Sequence, residues 1–177
     1  MPDESPQLAL ARRWAVQLGN TVEPVQATDA QGDAVAAFGV RHGPIQLIIL
    51  ETPTGVLTVL AVITIPPELR QTIGRLPPEF QAKMQETLKL AFMDCPRVGW
   101  NLIPPTATLI GMVERFDLSE NLRIVDSDVA SFNRFADAIQ EVVTLAVRGQ
   151  QVYSTVFVGG PGPPSRATSP HDTQIYR

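Results

Sequence analysis

The segment GVLTVLAVITI, Gly55 to Ile65, runs eleven residues without a charge and is followed by two Pro-Pro pairs, Pro66-Pro67 and Pro77-Pro78. Read together with the residues before it, Ile45 to Ile65 is the one stretch long enough to span a membrane. It carries Glu51, Pro53 and Gly55 near its middle, whereas a spanning helix needs about 20 continuous apolar residues. Val, Ile and Thr dominate it instead, and branching at Cβ favours extended backbone. The segment therefore reads as a β-hairpin, Ile45–Glu51 and Gly55–Ile65, with ETPTG as the turn. In its second arm Leu57, Val59, Ala61, Ile63 and Ile65 share one wholly apolar face by period two. Val56, Thr58, Leu60, Val62 and Thr64 share a mixed one. Both faces call for cover, and Val56, Thr58, Leu60 and Val62 are the candidate interface.

The remaining elements follow from punctuation and helical spacing. Ser5-Pro6 starts an amphipathic helix carrying Leu10, Trp14 and Leu18, and Gly19-Asn20 stops it. Val22 to Ala27 is a weaker strand because Pro24 has no N–H for a ladder. DAQGD marks a turn, and AVAAFGVRH a strand ending at His42-Gly43-Pro44. Each Pro-Pro pair opens a helix, the first with Leu69, Ile73 and Leu76 in register, the second with Phe80, Met84, Leu88 and Phe92. GWNLIPP and ATLIGMVERFDL read as two strands or strand-like segments separated by Pro104-Pro105, with Asp117 to Asn121 as a polar turn. Ser127 or Asp128 caps a last helix with the stripe Phe132, Phe135, Ile139, Val142 and Ala146. QVYSTVFV, beyond Gly149, suits helix or strand equally.

Clustered rather than alternating strands predict an α+β fold. The expected architecture is an antiparallel sheet with helices packed on one face, in the order α-β-β-β-α-α-β-β-α. Residues 1–158 form a single domain, and residues 159–177, rich in Gly, Pro and small polar residues, form a disordered tail.

Composition excludes several functions. A net charge of −4 argues against nucleic-acid binding, which needs a clustered basic surface. One cysteine, Cys95, forms no internal disulfide, and with two histidines there is no zinc set. No metal and no cofactor is expected. The N-terminus carries acids where a secretory signal carries basic residues, so a cytoplasmic protein is expected. His42 lies in the turn RHGP, which reads as an exposed loop, and Cys95 stands at a helix end beside Asp94. Asp117, Glu120, Asp126 and Asp128 cluster in sequence; helix capping and turn formation account for them more simply than acid/base chemistry does. No enzyme signature emerges from these patterns.

The block IPPELRQTIGRLPPEFQAKMQETLKLAFMD lies between a hydrophobic hairpin and a strand pair, and SDVASFNRFADAIQEVVTLA follows with Phe135, Ile139 and Val142 or Val143 in register. With Trp14 ahead of Gly19, this pattern resembles a family of uncharacterised prokaryotic proteins grouped with the type III secretion chaperone-like fold. The resemblance covers residues 6–150 and rests on apolar spacing and element order, with no chemical motif. It implies a small acidic domain, often dimeric, whose relatives bind extended segments of client proteins on apolar surface. The client-binding residues of true secretion chaperones have no recognisable counterpart here. The expectation is a non-enzymatic protein-binding or chaperone-like module, a homodimer with a protein client and no nucleic-acid or membrane partner. The alternative is a ligand-binding or enzymatic domain with a pocket between sheet and helices, using His42 or the acids near Asp126.

Overall fold

The hairpin that dominates the sequence forms the middle of the sheet. Ile45–Glu51 is β5 and Leu57–Thr64 is β6, paired antiparallel from Leu47↔Ala61 to Glu51↔Leu57. The turn closes on Thr52, whose N–H donates to the Val56 carbonyl at 2.9 Å, and Gly55 takes φ +73°, a left-handed value that favours glycine. The structure is a computed structural model and describes residues 4–28, 34–124 and 127–159, with side chains to residue 155. The expected DAQGD turn and the expected tail beyond Gly159 lie outside the described residues.

The chain runs α1 (Pro6–Gln17), β1 (Thr21–Pro24), β2 (Ala27–Thr28), β3 (Ala34–Val35) and β4 (Ala37–His42), then β5 and β6. After these come α2 (Pro67–Gly74), α3 (Pro78–Met93), β7 (Gly99–Ile103), a 3-10 turn (Ile110–Met112), β8 (Arg115–Leu122) and α4 (Val129–Gly159). Six strands form one antiparallel sheet in the order β1-β4-β5-β6-β8-β7, and β2 pairs with β3 in a two-stranded ladder. The fold is thus α+β.

Two expectations require correction. The order is not α-β-β-β-α-α-β-β-α, because six strands precede α2: the weak first arm supplies β1 and β2, and Ala34–His42 divides into β3 and β4. Pro24 is accommodated because β1 lies at the sheet edge, where a missing N–H costs no ladder bond. The second correction concerns ATLIGMVERFDL. Its first half is the 3-10 turn, and Asp117 to Asn121 is no turn but the middle of β8, flanked by β6 and β7. Ladder partners on both sides outweigh the turn preference of Asp, Ser and Asn. Of the two readings open for QVYSTVFV the structure takes the helix, and α4 continues unbroken through it, 31 residues and about 46 Å long.

One face of the sheet is buried. Phe38, Leu47, Ile49, Val59, Ala61 and Leu118 point into a single apolar cluster with the helices. Helix α1 covers the β4–β5 end, with Trp14 edge-on to Phe132 of α4 at 5.8 Å. Helix α4 crosses β6 and β8. Helix α3 covers the far end, where the Phe92 ring meets Phe116 of β8 at 5.2 Å and Trp100 of β7 at 5.9 Å. Tyr153 stacks on Phe116 with centroids 6.3 Å apart, so the last described turns of α4 belong to this core. The helix layer therefore reads α1, α4, α3 from the β4 end towards β7, while α2 packs on the 3-10 turn.

Candidate interaction surface

Alternation along β6 decides which side chains reach the open face. Leu57, Val59, Ala61 and Ile63 are buried, whereas Thr58 and Leu60 are half-buried and Val62 and Thr64 exposed. On β5 the same alternation buries Ile45, Leu47 and Ile49 and leaves Ile48 and Leu50 half-exposed on the other side. Ile48 pairs directly with Leu60, and Leu50 with Thr58. Ile48, Leu50, Leu60 and Val62 thus form a contiguous apolar island at the centre of the open face. Of the expected interface set, Thr58, Leu60 and Val62 lie on this face, whereas Val56 sits in the hairpin loop, its N–H donating to Thr52 Oγ1 at 3.2 Å.

Polar groups rim the island. Thr58 Oγ1 donates to Asn121 Oδ1 at 2.8 Å, and Arg115 pairs with Asp117 at 3.3 Å. Ser119 stands opposite Leu60, and Asp117 opposite Val62. At the β4 side the open face is closed by Val25, whose Cγ2 would lie 3.5 Å from a Cβ at Gly39. An apolar centre with a polar rim is the usual anatomy of a protein-binding patch.

The residues weighed for chemistry are not brought together. His42 closes the β4–β5 hairpin, its Nδ1 2.8 Å from Asn20 Oδ1, and so ties the end of α1 to the sheet. Asp128 accepts from the Ser131 N–H at 2.7 Å as the cap of α4, and these hydrogen bonds from Ser131 hold its carboxyl below the ordinary carboxylate range. Strand register puts His42 and the start of α4 at opposite ends of the sheet: His42 pairs with Ile45 at one end, Leu57 with Leu122 at the other. Asp126 lies outside the described residues. Cys95 donates its thiol proton to Glu141 Oε2 at 3.2 Å, and Glu141 is ion-paired to Arg97. These border a depression of about 220 Å³ lined by Asp94, Gln140 and Thr144 as well. A second depression, about 280 Å³, follows the seam between α3 and α4 along Met84, Thr87, Ala91 and Val152. Among the described residues no group of three His, Cys, Asp or Glu could hold a metal ion. No helix of the described residues is long and apolar enough to cross a membrane.

Sequence reasoning assigned Glu120 to a polar turn and missed its burial. It faces the buried side in the row Phe38, Ile49, Val59, Glu120, and is 1% exposed. Arg134 on α4 reaches it at 2.6 Å. The signal was present as the alternation Phe116, Leu118, Glu120, Leu122, in which the acid occupies an inward position.

No family model and no curated protein matches the chain. Among solved structures, the crystal structure of an uncharacterized protein from Methanothermobacter thermautotrophicus is similar with a TM-score of 0.65. It covers 84% of this chain and 97% of that one at 12% sequence identity. At that identity the likeness is one of fold: this chain shares the α+β architecture of that protein.

Proposed function

We propose that the chain is a non-enzymatic protein-binding module, chaperone-like and homodimeric, which receives an extended segment of a client on its open sheet face. The observation that carries this reading is the island Ile48, Leu50, Leu60 and Val62 on a face without a helix layer among the described residues, when the opposite face of the same strands is fully covered. The apolar spacing that resembles the type III secretion chaperone-like group supports it. Burial of such a patch contributes about 25 cal/mol per Å², before the cost of association.

The test uses a permanently unfolded, carboxymethylated model protein as probe, with binding followed by fluorescence anisotropy. The full chain is expected to bind it, and Leu60→Asp to weaken binding at least tenfold while the circular dichroism spectrum is retained. Absence of binding by the full chain, or equal binding by the Leu60→Asp variant, overturns the reading. His42→Ala is expected to leave binding unchanged.

A further inference from the structure

The strands carry two glycines on the open face, and the chain shelters one of them. A Cβ at Gly39 of β4 would stand 3.5 Å from Val25 Cγ2 and 3.7 Å from Gln46 Nε2. Gly99 of β7 pairs with Ser119, and a Cβ there would meet Ser119 alone, its Oγ at 3.5 Å and its carbonyl oxygen at 3.6 Å. A side chain therefore fits at position 99. Nor does the backbone demand glycine there, because the left-handed glycines are Gly19, Gly43 and Gly55. Glycine in a ladder forfeits conformational entropy and packing, and where neither sterics nor dihedrals require it, it marks close approach by another group.

Gly99 ends a row that crosses the sheet as Ile48, Leu60, Ser119, Gly99. Ile48 and Leu60 stand up from it as branched side chains, whereas Ser119 is short and Gly99 has none. The row thus drops from the apolar island onto a shelf. Neighbouring strands lie about 4.8 Å apart, so the step from Leu60 to Gly99 spans about 10 Å, room for one aromatic ring lying flat. Asp117 and Asn101, paired with each other, stand along one side of the shelf. A ring laid over a bare glycine covers the exposed backbone of a sheet, and a cross-strand neighbour often supplies it. Here that neighbour is Ser119. The adjacent Trp100 points the other way, pairing with the inward Leu118, its ring 5.9 Å from that of Phe92.

We infer that the client segment carries an aromatic side chain, which lies flat on Ser119 and Gly99 against Leu60, within a stretch free of charged residues. The inference rests on the client-binding reading proposed above and names the class of client. The absence of charge follows from the face itself. Its charged side chains are matched in opposite pairs, Glu23 with Arg41 at 3.1 Å and Arg115 with Asp117 at 3.3 Å. A charged client would have to break such a pair or rest its charge on apolar side chains. Affinity for the uncharged segment is accordingly insensitive to salt.

The test displaces the labelled unfolded protein from the full chain with short peptides of Ser, Thr and Leu that carry one central Phe, Leu or Lys. The Phe peptide should compete at about fivefold lower concentration than the Leu peptide, and the Lys peptide less well than either. Gly99→Val fills the shelf from β7 and Ser119→Val from β8. Both put a strand-favouring residue on an outward position, so the circular dichroism spectrum should be retained. In each variant the probe should stay bound and the Phe and Leu peptides should compete equally. Three results overturn the inference and leave the client-binding reading standing: equal competition by Phe and Leu on the unaltered chain, a Phe preference that survives both variants, or peptides that fail to displace a bound probe. A full chain that does not bind the probe overturns both.

Discussion

At the scale of single residues, charge placed inside the fold is informative. Glu120 is almost fully buried and its partner Arg134 keeps 37% of its side chain exposed, so the pair spans the boundary between core and solvent. Removing Arg134 leaves a buried carboxylate without its counter-charge. Arg134→Ala is expected to destabilise the fold by about 2–3 kcal/mol, near the low end for buried pairs because Arg134 is partly solvated. The double variant Glu120→Leu/Arg134→Leu should recover most of that loss in urea unfolding, and a double variant no more stable than the single one would deny that an unpaired charge is the cause. Asp128 gives a pH-dependent counterpart. Its carboxyl titrates below the ordinary value because Ser131 donates to the charged form, so its contribution to α4 is present above that value and lost as pH falls through the lower, folded one. Asp128→Ala should lower the thermal midpoint at pH 7, and the difference from wild type should shrink as the solution is acidified below about pH 4. An undiminished difference there would contradict the capping role.

At the scale of elements, close approach rather than propensity decides where α4 can lie. Gly149 is in its middle, and a Cβ there would stand 2.6 Å from Phe116 Cζ and 3.1 Å from Phe92 Cζ. Both rings are fully buried and have no room to swing. Alanine is the better helix former by about 1 kcal/mol, but overpacking costs about 1–3 kcal/mol. Gly149→Ala should therefore be net destabilising by about 1 kcal/mol in chemical denaturation, and a stabilised variant would mean that the helix can shift. The boundaries of this helix show what the sequence conveyed. Its capped start and the stripe Phe135, Ile139, Val142 were legible, because caps and 3.6-residue periodicity are local. Its continuation past Gly149 was not, because a glycine flanked by apolar residues suits helix or strand until the stacking of Tyr153 on Phe116 is known.

At the scale of the whole molecule, the sheet separates neighbouring residues into unlike environments. Val59 and Leu60 are adjacent in sequence, yet Val59 is fully buried beneath the helices and Leu60 lies on the open face. Val59→Asp is expected to abolish cooperative folding by placing an unpaired charge in the core. Leu60→Asp should cost about 1 kcal/mol, since only part of a leucine's burial is lost. Thermal unfolding of the two variants checks this, and equal damage from both would mean that the open face is covered in the folded chain.

The sequence by itself determined the central hairpin, the paired helices behind the Pro-Pro motifs, the capped last helix and an α+β class, because period, capping and proline geometry act over a few residues. It also identified Thr58, Leu60 and Val62 as one face of a strand. Only the tertiary structure decided which face the helices would cover, that Asp117 to Asn121 is an interior strand, and that Glu120 points inward to Arg134. Those outcomes depend on ladder partners and packing between residues distant along the chain, and no local preference encodes them.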